Sequence, residues 1–554
     1  MNEDDSLLVT SMNRQGIAMR DSVTPELTFN YSSQKNVFDD DKKENNSCTA
    51  ATRTGLHYLT IVFLGLASWA VLWCAFGNEW SWNGRWFKPA VVVAIAWATG
   101  ELLQMTTTLP PLLAALLTGI IARNIGYLDM RHYTELDSFM RKIYPFIILG
   151  KGSLGWNLTY MKNNWKQVAA LGVLPWTAEV VTLAVCLNQL LGYPWIMGSY
   201  LPSPYVRFLL GSIYASVSCP VLMPTVVKLT AGKNLGQNWP QLICTAGGTD
   251  TALSVGVSGV IHSFIMYEGD DAYRYIRAAC ALFLGAAVGV MWGSLAKFLP
   301  HSRDVYVTEL RVLYVVVGGF CALFITSQFG WGGTGGIAVL ACNATAAHYW
   351  AKSGWKLNNN PAATAYRIMW SSVEPALFAF TGTFFVIHPS ISKLMLVGFG
   401  ILFVCLAVRL IVAYLVCTTL TVRERLFVCC TWVPKSIVEA VLCPVAINAF
   451  IARGDHNEVQ MEYAEYIMKL IVQAILITTP IGYLLTNHLG PILLKEKHKK
   501  CENASHLIVS YENPLIKRRR SNKLEAGVRR ALAAAAPVRA DPGARPYTAP
   551  RFTT

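Results

Sequence analysis

The class of fold follows from one apolar stretch, Pro240-Gln-Leu-Ile-Cys-Thr-Ala-Gly-Gly-Thr-Asp-Thr-Ala-Leu-Ser-Val-Gly-Val-Ser-Gly-Val-Ile-His-Ser-Phe-Ile265. It is longer than the roughly 20 residues that a helix needs to cross a bilayer. A single carboxylate, Asp250, lies near its middle, where a charge costs roughly 3 kcal/mol or more. We therefore expect Asp250 to bind an ion or a proton, in preference to being a packing residue that a neighbour neutralises.

The whole chain has the composition of an integral membrane protein. Of its 554 residues, 53% are hydrophobic and 14% are charged. Apolar segments recur from residue 57 to residue 494, which predicts an all-α membrane protein with about 13–14 transmembrane helices. The approximate spans are 56–76, 89–108, 109–127, 143–161, 166–192, 205–228, 236–265, 276–299, 308–328, 332–351, 369–387, 393–421, 426–452 and 463–494.

The polar ends of the chain predict three regions. Residues 1–54 and 496–554 are expected to be disordered tails, and residues 55–495 to be one polytopic transporter domain. Residues 495–554 contain 14 Lys and Arg but only 5 Asp and Glu, which favours a cytosolic flank over a nucleic-acid site. An even number of spans places both tails in the cytosol, at the plasma membrane or an endomembrane.

Several motifs that would indicate other functions are missing from the sequence. The fourteen cysteines have neither the spacing of a zinc site nor that of a disulfide framework. The chain also lacks a nucleotide-binding Gly-x-x-x-x-Gly-Lys-Ser/Thr loop. We therefore predict a transporter driven by ion gradients, without a cofactor, rather than an enzyme or an ATP-driven pump.

Two spans contain paired prolines. The first is Ser216-Val-Ser-Cys-Pro-Val-Leu-Met-Pro224, and the second is Thr431-Trp-Val-Pro-Lys-Ser-Ile-Val-Glu-Ala-Val-Leu-Cys-Pro444. Proline removes a backbone donor and leaves a carbonyl without its helical partner. Two broken helices in corresponding positions of the two halves predict an ion site near the bilayer midplane; two ordinary proline kinks are the alternative.

Oxygen-bearing residues near Asp250 indicate what it would bind. Thr249 is its neighbour in sequence, and Ser218 lies in the first broken helix. Small hard cations such as Na⁺ or Li⁺ prefer oxygen ligands, while burial of a lone carboxylate favours its protonated form. One carboxylate that holds either a cation or a proton is the minimum chemistry of an exchanger.

Five further charges lie inside predicted spans. Arg409 requires a partner because arginine keeps its proton, and it is expected to face Asp250. Glu179 and Lys435 are expected to form a buried acid–base pair or gate, although Glu439, four residues after Lys435, competes for the same partner. Glu374 has three interpretations: it neutralises Arg409, it is a second acidic proton site, or it lies at the water boundary.

Several short motifs together carry a family resemblance. They are Leu109-Pro-Pro-Leu-Leu113, Gly119-Ile-Ile-Ala-Arg-Asn124, Gly247-Gly-Thr-Asp250, Glu374-Pro-Ala-Leu-Phe378, Trp432-Val-Pro-Lys-Ser436 and the span of Arg409. With them, the region from Leu109 to about residue 494 resembles the animal NHA-type sodium/proton antiporters (solute carrier family 9, subfamily B). The resemblance implies a homodimer with inverted repeats, two crossing broken helices and an elevator-like core.

The resemblance also implies roles for single residues. Asp250 matches the ion-binding aspartate, Arg409 the basic residue facing it, Glu179 and Lys435 the buried pair, and Ser218 the unwound segment. Three departures stand out: Thr249 replaces the first of two adjacent aspartates, Glu374 replaces an amide, and a proline is displaced in Ser218-Cys-Pro-Val-Leu-Met-Pro224.

The missing aspartate leaves two functions open. The first is one-for-one antiport of Na⁺ or Li⁺ against H⁺ on Asp250. The second is proton-coupled chloride cotransport, in which an incompletely paired Arg409 attracts the anion. A non-transporting membrane scaffold is a third class, but a scaffold would gain nothing from the cost of buried charges.

Overall fold

A computed structural model describes residues 47–494 except for 108, 191–210, 232, 234, 236, 268, 302–303, 356–359, 388–390 and 445–457. The described residues contain helices and no strand, so the predicted all-α membrane fold is confirmed. Most of both predicted tails lies outside the described residues. The first helix begins at Ser47, inside the segment that was expected to be a tail.

The helices follow the predicted spans closely. In chain order they are α1 Ser47–Phe76, α2 Phe87–Thr106, α3 Leu112–Asn124, α4 Thr134–Ser153, α5 Leu158–Asn163, α6 Trp165–Leu190, α7 Cys219–Thr230, α8 Trp239–Met266, α9 Asp271–Leu295, α10 Val307–Gln328, α11 Thr334–Lys352, α12 Pro361–Gly382, α13 Ile391–Val416, α14 Val422–Thr431 and α15 Glu458–Leu493. Residues 211–214 and 437–444 are also helical.

Eight helices of the described part are long and apolar enough to cross a membrane. The described side chains of α1 are almost all exposed, and its large apolar residues suit contact with lipid or with another protein. These eight are Gly55–Trp80, Phe87–Thr106, Trp165–Leu187, Gly211–Thr230, Asp271–Leu295, Val307–Gln328, Met395–Val416 and Met468–Leu493.

Besides α1, which begins at Ser47 rather than 56, two helices have wrong predicted boundaries. Helix α4 begins at Thr134 rather than near 143, because Asp137 and Arg141 pair one turn apart (2.7 Å) and are buried together. Helix α12 begins at Pro361 rather than 369, where the Asn360 side chain accepts a hydrogen bond from the Ala363 N–H and caps the helix. In both helices the start is set by paired or capping polar residues, which a hydropathy pattern does not detect.

Both proline-containing segments are broken helices, and their breaks lie against each other. The first broken helix is interrupted after residue 214 and continues as α7 from Cys219. The second broken helix is interrupted at the end of α14 and continues from residue 437. The N–H of Ser218 donates to the carbonyl of Pro434 at 2.9 Å. The Ser436 hydroxyl donates to the Ser218 hydroxyl at 2.7 Å. These bonds join the two breaks into one crossing.

Candidate functional site

Asp250 lies in α8 with its carboxylate directed at the first break. It is completely buried. Its Oδ1 accepts the N–H of Val217 at 2.8 Å, and its Oδ2 lies 2.6 Å from Arg409 Nη2. The break frees the Val217 N–H from helical bonding, so the unwound backbone itself provides a donor for the carboxylate.

Close packing between α8 and the first break depends on Gly247. A Cβ at this position would lie 2.8 Å from the Cβ of Cys219, the first residue of α7. Glycine at 247 therefore leaves room for the Cys219 side chain, directly after the break, beside the turn of helix that carries Asp250. This packing explains why the first residue of the motif Gly247-Gly-Thr-Asp250 is glycine.

Arg409, in α13, joins two carboxylates and the broken helix. Its Nη1 contacts both Glu179 Oε2 and the carbonyl of Ala215, and its Nη2 contacts Asp250. The guanidinium is almost fully buried. The C-terminal end of the half-helix at 211–214 exposes carbonyls without helical partners, and a cation stabilises such an end.

Lys435 gives the same half-helix end a second cation. Its Nζ lies 2.7 Å from Glu179 Oε1 and donates to the carbonyl of Tyr214 at 2.5 Å. Glu179, in α6, therefore bridges Lys435 and Arg409 with its two oxygens. The competing pair of Lys435 with Glu439 does not form, because Lys435 lies in the break, ahead of the helix that begins at 437.

Glu439 is a buried carboxylate of this crossing that the sequence analysis did not rank as a site residue. It is completely buried, and its Oε2 accepts the N–H of Ser436 at 3.0 Å. A usable signal was present: Ser436-Ile-Val-Glu439 has the spacing of a helix capping box. Its other oxygen, Oε1, is buried without a hydrogen-bond partner among the described residues.

The hydroxyls of Ser218 and Thr249 bond to groups other than the Asp250 carboxylate. The Ser218 hydroxyl accepts from Ser436 and from the N–H of Ile437 (3.3 Å), so it fastens the crossing. The Thr249 hydroxyl donates to the carbonyl of Thr245 at 2.9 Å. Its side chain packs against Gly172 of α6, where a Cβ on the glycine would lie 2.9 Å from the Cβ of Thr249.

Glu374, in α12, belongs to a different cluster. Its electrostatic neighbours are Lys151 of α4 and Trp370 of its own helix. The idea that Glu374 neutralises Arg409 is therefore wrong, because Glu179 and Asp250 already hold the guanidinium. The chloride alternative, which requires an incompletely paired Arg409, stays a prediction: two carboxylates hold the guanidinium, while its Nε is buried without a hydrogen-bond partner among the described residues.

A second buried ion pair supports the crossing from α4. Arg141 pairs with Asp137 and donates through Nη1 to the carbonyls of Ala440 (2.8 Å) and Val441 (3.2 Å) in the second broken helix. Hydropathy did not select this pair, because its polar residues lie ahead of the predicted span. It ties a continuous helix to a broken one close to the site.

A buried cluster of charges at the crossing of two broken helices is the architecture of a secondary transporter. The chain matches the family model described as "Sodium/hydrogen exchanger, transmembrane" over residues 89–487, and it belongs to that family. The resemblance to the subfamily 9B exchangers is confirmed by curated relatives.

Two human proteins illustrate the relationship. The chain is 28% identical over 455 residues to "Sodium/hydrogen exchanger 9B2" of Homo sapiens, covering 79% of this chain and 80% of that protein. It is 26% identical over 439 residues to "Sodium/hydrogen exchanger 9B1" of Homo sapiens, covering 77% and 81%.

A solved structure shows the same fold at lower identity. The sodium proton antiporter MjNhaP1 from Methanocaldococcus jannaschii superimposes with a TM-score of 0.59 and 16% identity, covering 74% of this chain and 98% of that one. The crossing of broken helices thus lies in an antiporter fold.

Proposed function

We propose that this protein is a secondary antiporter that exchanges Na⁺ or Li⁺ for H⁺, with Asp250 as the carboxylate that binds the cation. The observation that carries the proposal is the placement of a fully buried Asp250 against the unwound backbone at 215–218. The membership in the sodium/hydrogen exchanger family and the antiporter fold support it. In the simplest version, cation and proton compete for Asp250.

The geometry suggests how a cation enters the site. Arg409 occupies both Asp250 Oδ2 and the Ala215 carbonyl, which are the kinds of oxygen that a small hard cation prefers. A bound Na⁺ therefore competes with the guanidinium for the same oxygens. Glu179 keeps Arg409 inside the site when it leaves Asp250, because the two remain paired.

Reconstituted flux tests the proposal. Purified protein in proteoliposomes should acidify or alkalinise the lumen when Na⁺ or Li⁺ gradients are imposed, with K⁺ and Cl⁻ varied separately. Asp250→Asn should abolish this exchange, because the isosteric amide removes the charge that binds the cation. Glu374→Gln is the matched control: it removes a carboxylate away from the crossing and should retain most of the exchange.

Two outcomes would contradict the proposal. Unchanged Na⁺-driven proton movement in Asp250→Asn would remove Asp250 from the mechanism. Chloride-dependent acidification that persists without Na⁺ or Li⁺, and is lost in Arg409→Ala, would establish the anion cotransporter instead. The homodimer, which the resemblance implies, and the cytosolic position of both tails, which the even span count and the basic flank favour, stay predictions.

A further inference from the structure

Charged groups at the crossing do not balance. Among the described residues around the two breaks are three carboxylates, those of Glu179, Asp250 and Glu439, and two cations, those of Arg409 and Lys435; the Arg141–Asp137 pair beside them is neutral in sum. All five side chains are buried. With every group ionised the crossing carries one surplus negative charge, and a buried charge without compensation is strongly unfavourable. One monovalent cation or one proton restores neutrality.

The contacts identify which carboxylate is left over. Both oxygens of Glu179 are paired with cations. Asp250 has one oxygen on Arg409 and the other on a backbone N–H. Glu439 makes no ion pair with any described residue, and its Oε1 is buried without a hydrogen-bond partner. A protonated Glu439 is consistent with this geometry, since Oε2 can still accept the Ser436 N–H as a carbonyl oxygen.

We propose that Glu439 is a second ion-exchange carboxylate of this site, and that it holds the exchanged proton while Asp250 is paired with Arg409. The inference rests on the proposed antiport and changes where its proton lies. When Na⁺ binds at Asp250, the neutral state is kept if the O–H bond of Glu439 breaks and its proton passes to water. One cation enters and one proton leaves, so charge balances.

Charged neighbours couple the protonation of Glu439 to cation binding at Asp250. Lys435, Arg409 and Asp250 are its main electrostatic neighbours. Tyr214, on the first broken helix, and Cys443, one turn further along its own helix, also interact with it. Because Asp250 and Arg409 both act on Glu439, a cation that separates them changes the field at Glu439 directly. Such coupling is strong at low local dielectric.

Proton release on cation binding tests the proposal. Purified protein in weakly buffered detergent solution is titrated with NaCl or LiCl, choline chloride being the control, while a pH-sensitive dye counts released protons and thermal stabilisation reports cation binding. The wild-type protein should release about one proton for each cation bound. Glu439→Gln should still be stabilised by the cation but release at least fivefold fewer protons, since glutamine can keep the capping bond.

Each other outcome has a defined meaning. Wild-type proton release from Glu439→Gln would leave Glu439 as a helix cap and overturn the proposal. If that variant fails to fold, Glu439→Asp decides: a shifted pH midpoint of release supports the proposal, and an unchanged midpoint overturns it. Asp250→Asn should lose both binding and release. A wild-type protein that neither binds Na⁺ or Li⁺ nor releases protons at any pH would overturn the antiport itself, and the role of Glu439 with it.

Discussion

Replacing Arg409 by methionine tests the arrangement of the charged crossing. The substitution keeps a long, flexible side chain but removes the cation that two carboxylates share. The two carboxylates are not equally dependent on it. Glu179 retains Lys435 at 2.7 Å, whereas Asp250 retains only the Val217 N–H. Asp250 is therefore the group that the substitution leaves uncompensated.

The magnitude follows from this asymmetry. Breaking a buried ion pair by removing one partner costs about 3–5 kcal/mol, mostly from the charge that remains. At roughly 2 °C for each kcal/mol in a large domain, Arg409→Met should lower the thermal unfolding midpoint by roughly 6 °C or more. Adding Asp250→Asn should recover at least about half of that loss, because the uncompensated charge disappears. Adding Glu179→Gln should recover much less, since it then leaves Lys435 without its carboxylate.

Thermal unfolding of the purified variants in one detergent, at one pH and without Na⁺ or Li⁺, measures this cycle. The wild type, the three single variants and the two double variants are compared by their midpoints. Equal rescue by Asp250→Asn and Glu179→Gln would refute the reasoning, because it would mean that Lys435 does not hold Glu179. Strict additivity of Arg409→Met and Asp250→Asn would refute the direct pairing of Arg409 with Asp250.

Two further substitutions test the packing around the site. Gly247→Ala should slow exchange about tenfold with a loss of about 1–3 kcal/mol in stability, because a Cβ there meets Cys219. Gly256→Ala, whose Cβ meets only flexible side-chain ends of Leu282 and Ile337, is the control in the same flux assay. Arg141→Met should destabilise the protein by about 3 kcal/mol in thermal unfolding, since it removes the cation that pairs with buried Asp137 and that donates to the Ala440 and Val441 carbonyls. Asp271→Asn, which removes an exposed carboxylate paired with Arg274, should change stability by less than about 1 kcal/mol.

Much of the fold could be predicted because a bilayer imposes one period and one length on its helices. The paired prolines also located both breaks, since a proline cannot complete the hydrogen bonding of a continuous helix. The starts of α4 and α12 could not be predicted in this way. The first turn of α4 is polar and that of α12 consists of small residues (Pro361-Ala-Ala-Thr364). Only the folded structure shows that Asp137 pairs with Arg141 and that Asn360 is a cap.

Most of the charged residues that meet at the crossing could be predicted from the sequence, but their contacts could not. A charge in an apolar span has to find a partner, which is why Asp250, Arg409, Glu179 and Lys435 could be selected from their depth alone. Which acid meets which base depends on how the helices cross, so Glu374 was open to a wrong assignment. Glu439 was overlooked because its spacing from Lys435 suggested an ordinary helical pair, which the break at 433–436 prevents.

The balance of charges at the crossing leads to a prediction about the current that transport carries. With two cations and three carboxylates, neutrality requires one monovalent ion, whether that ion is a proton or Na⁺. If the site is neutral in both loaded states, each cycle moves one Na⁺ against one H⁺ and no net charge. Exchange in proteoliposomes should therefore proceed at the same rate with an imposed membrane potential of either sign. A rate that rises when the potential drives positive charge in the direction of the protons would show that more than one proton moves, and that a further group of the site takes part in the exchange.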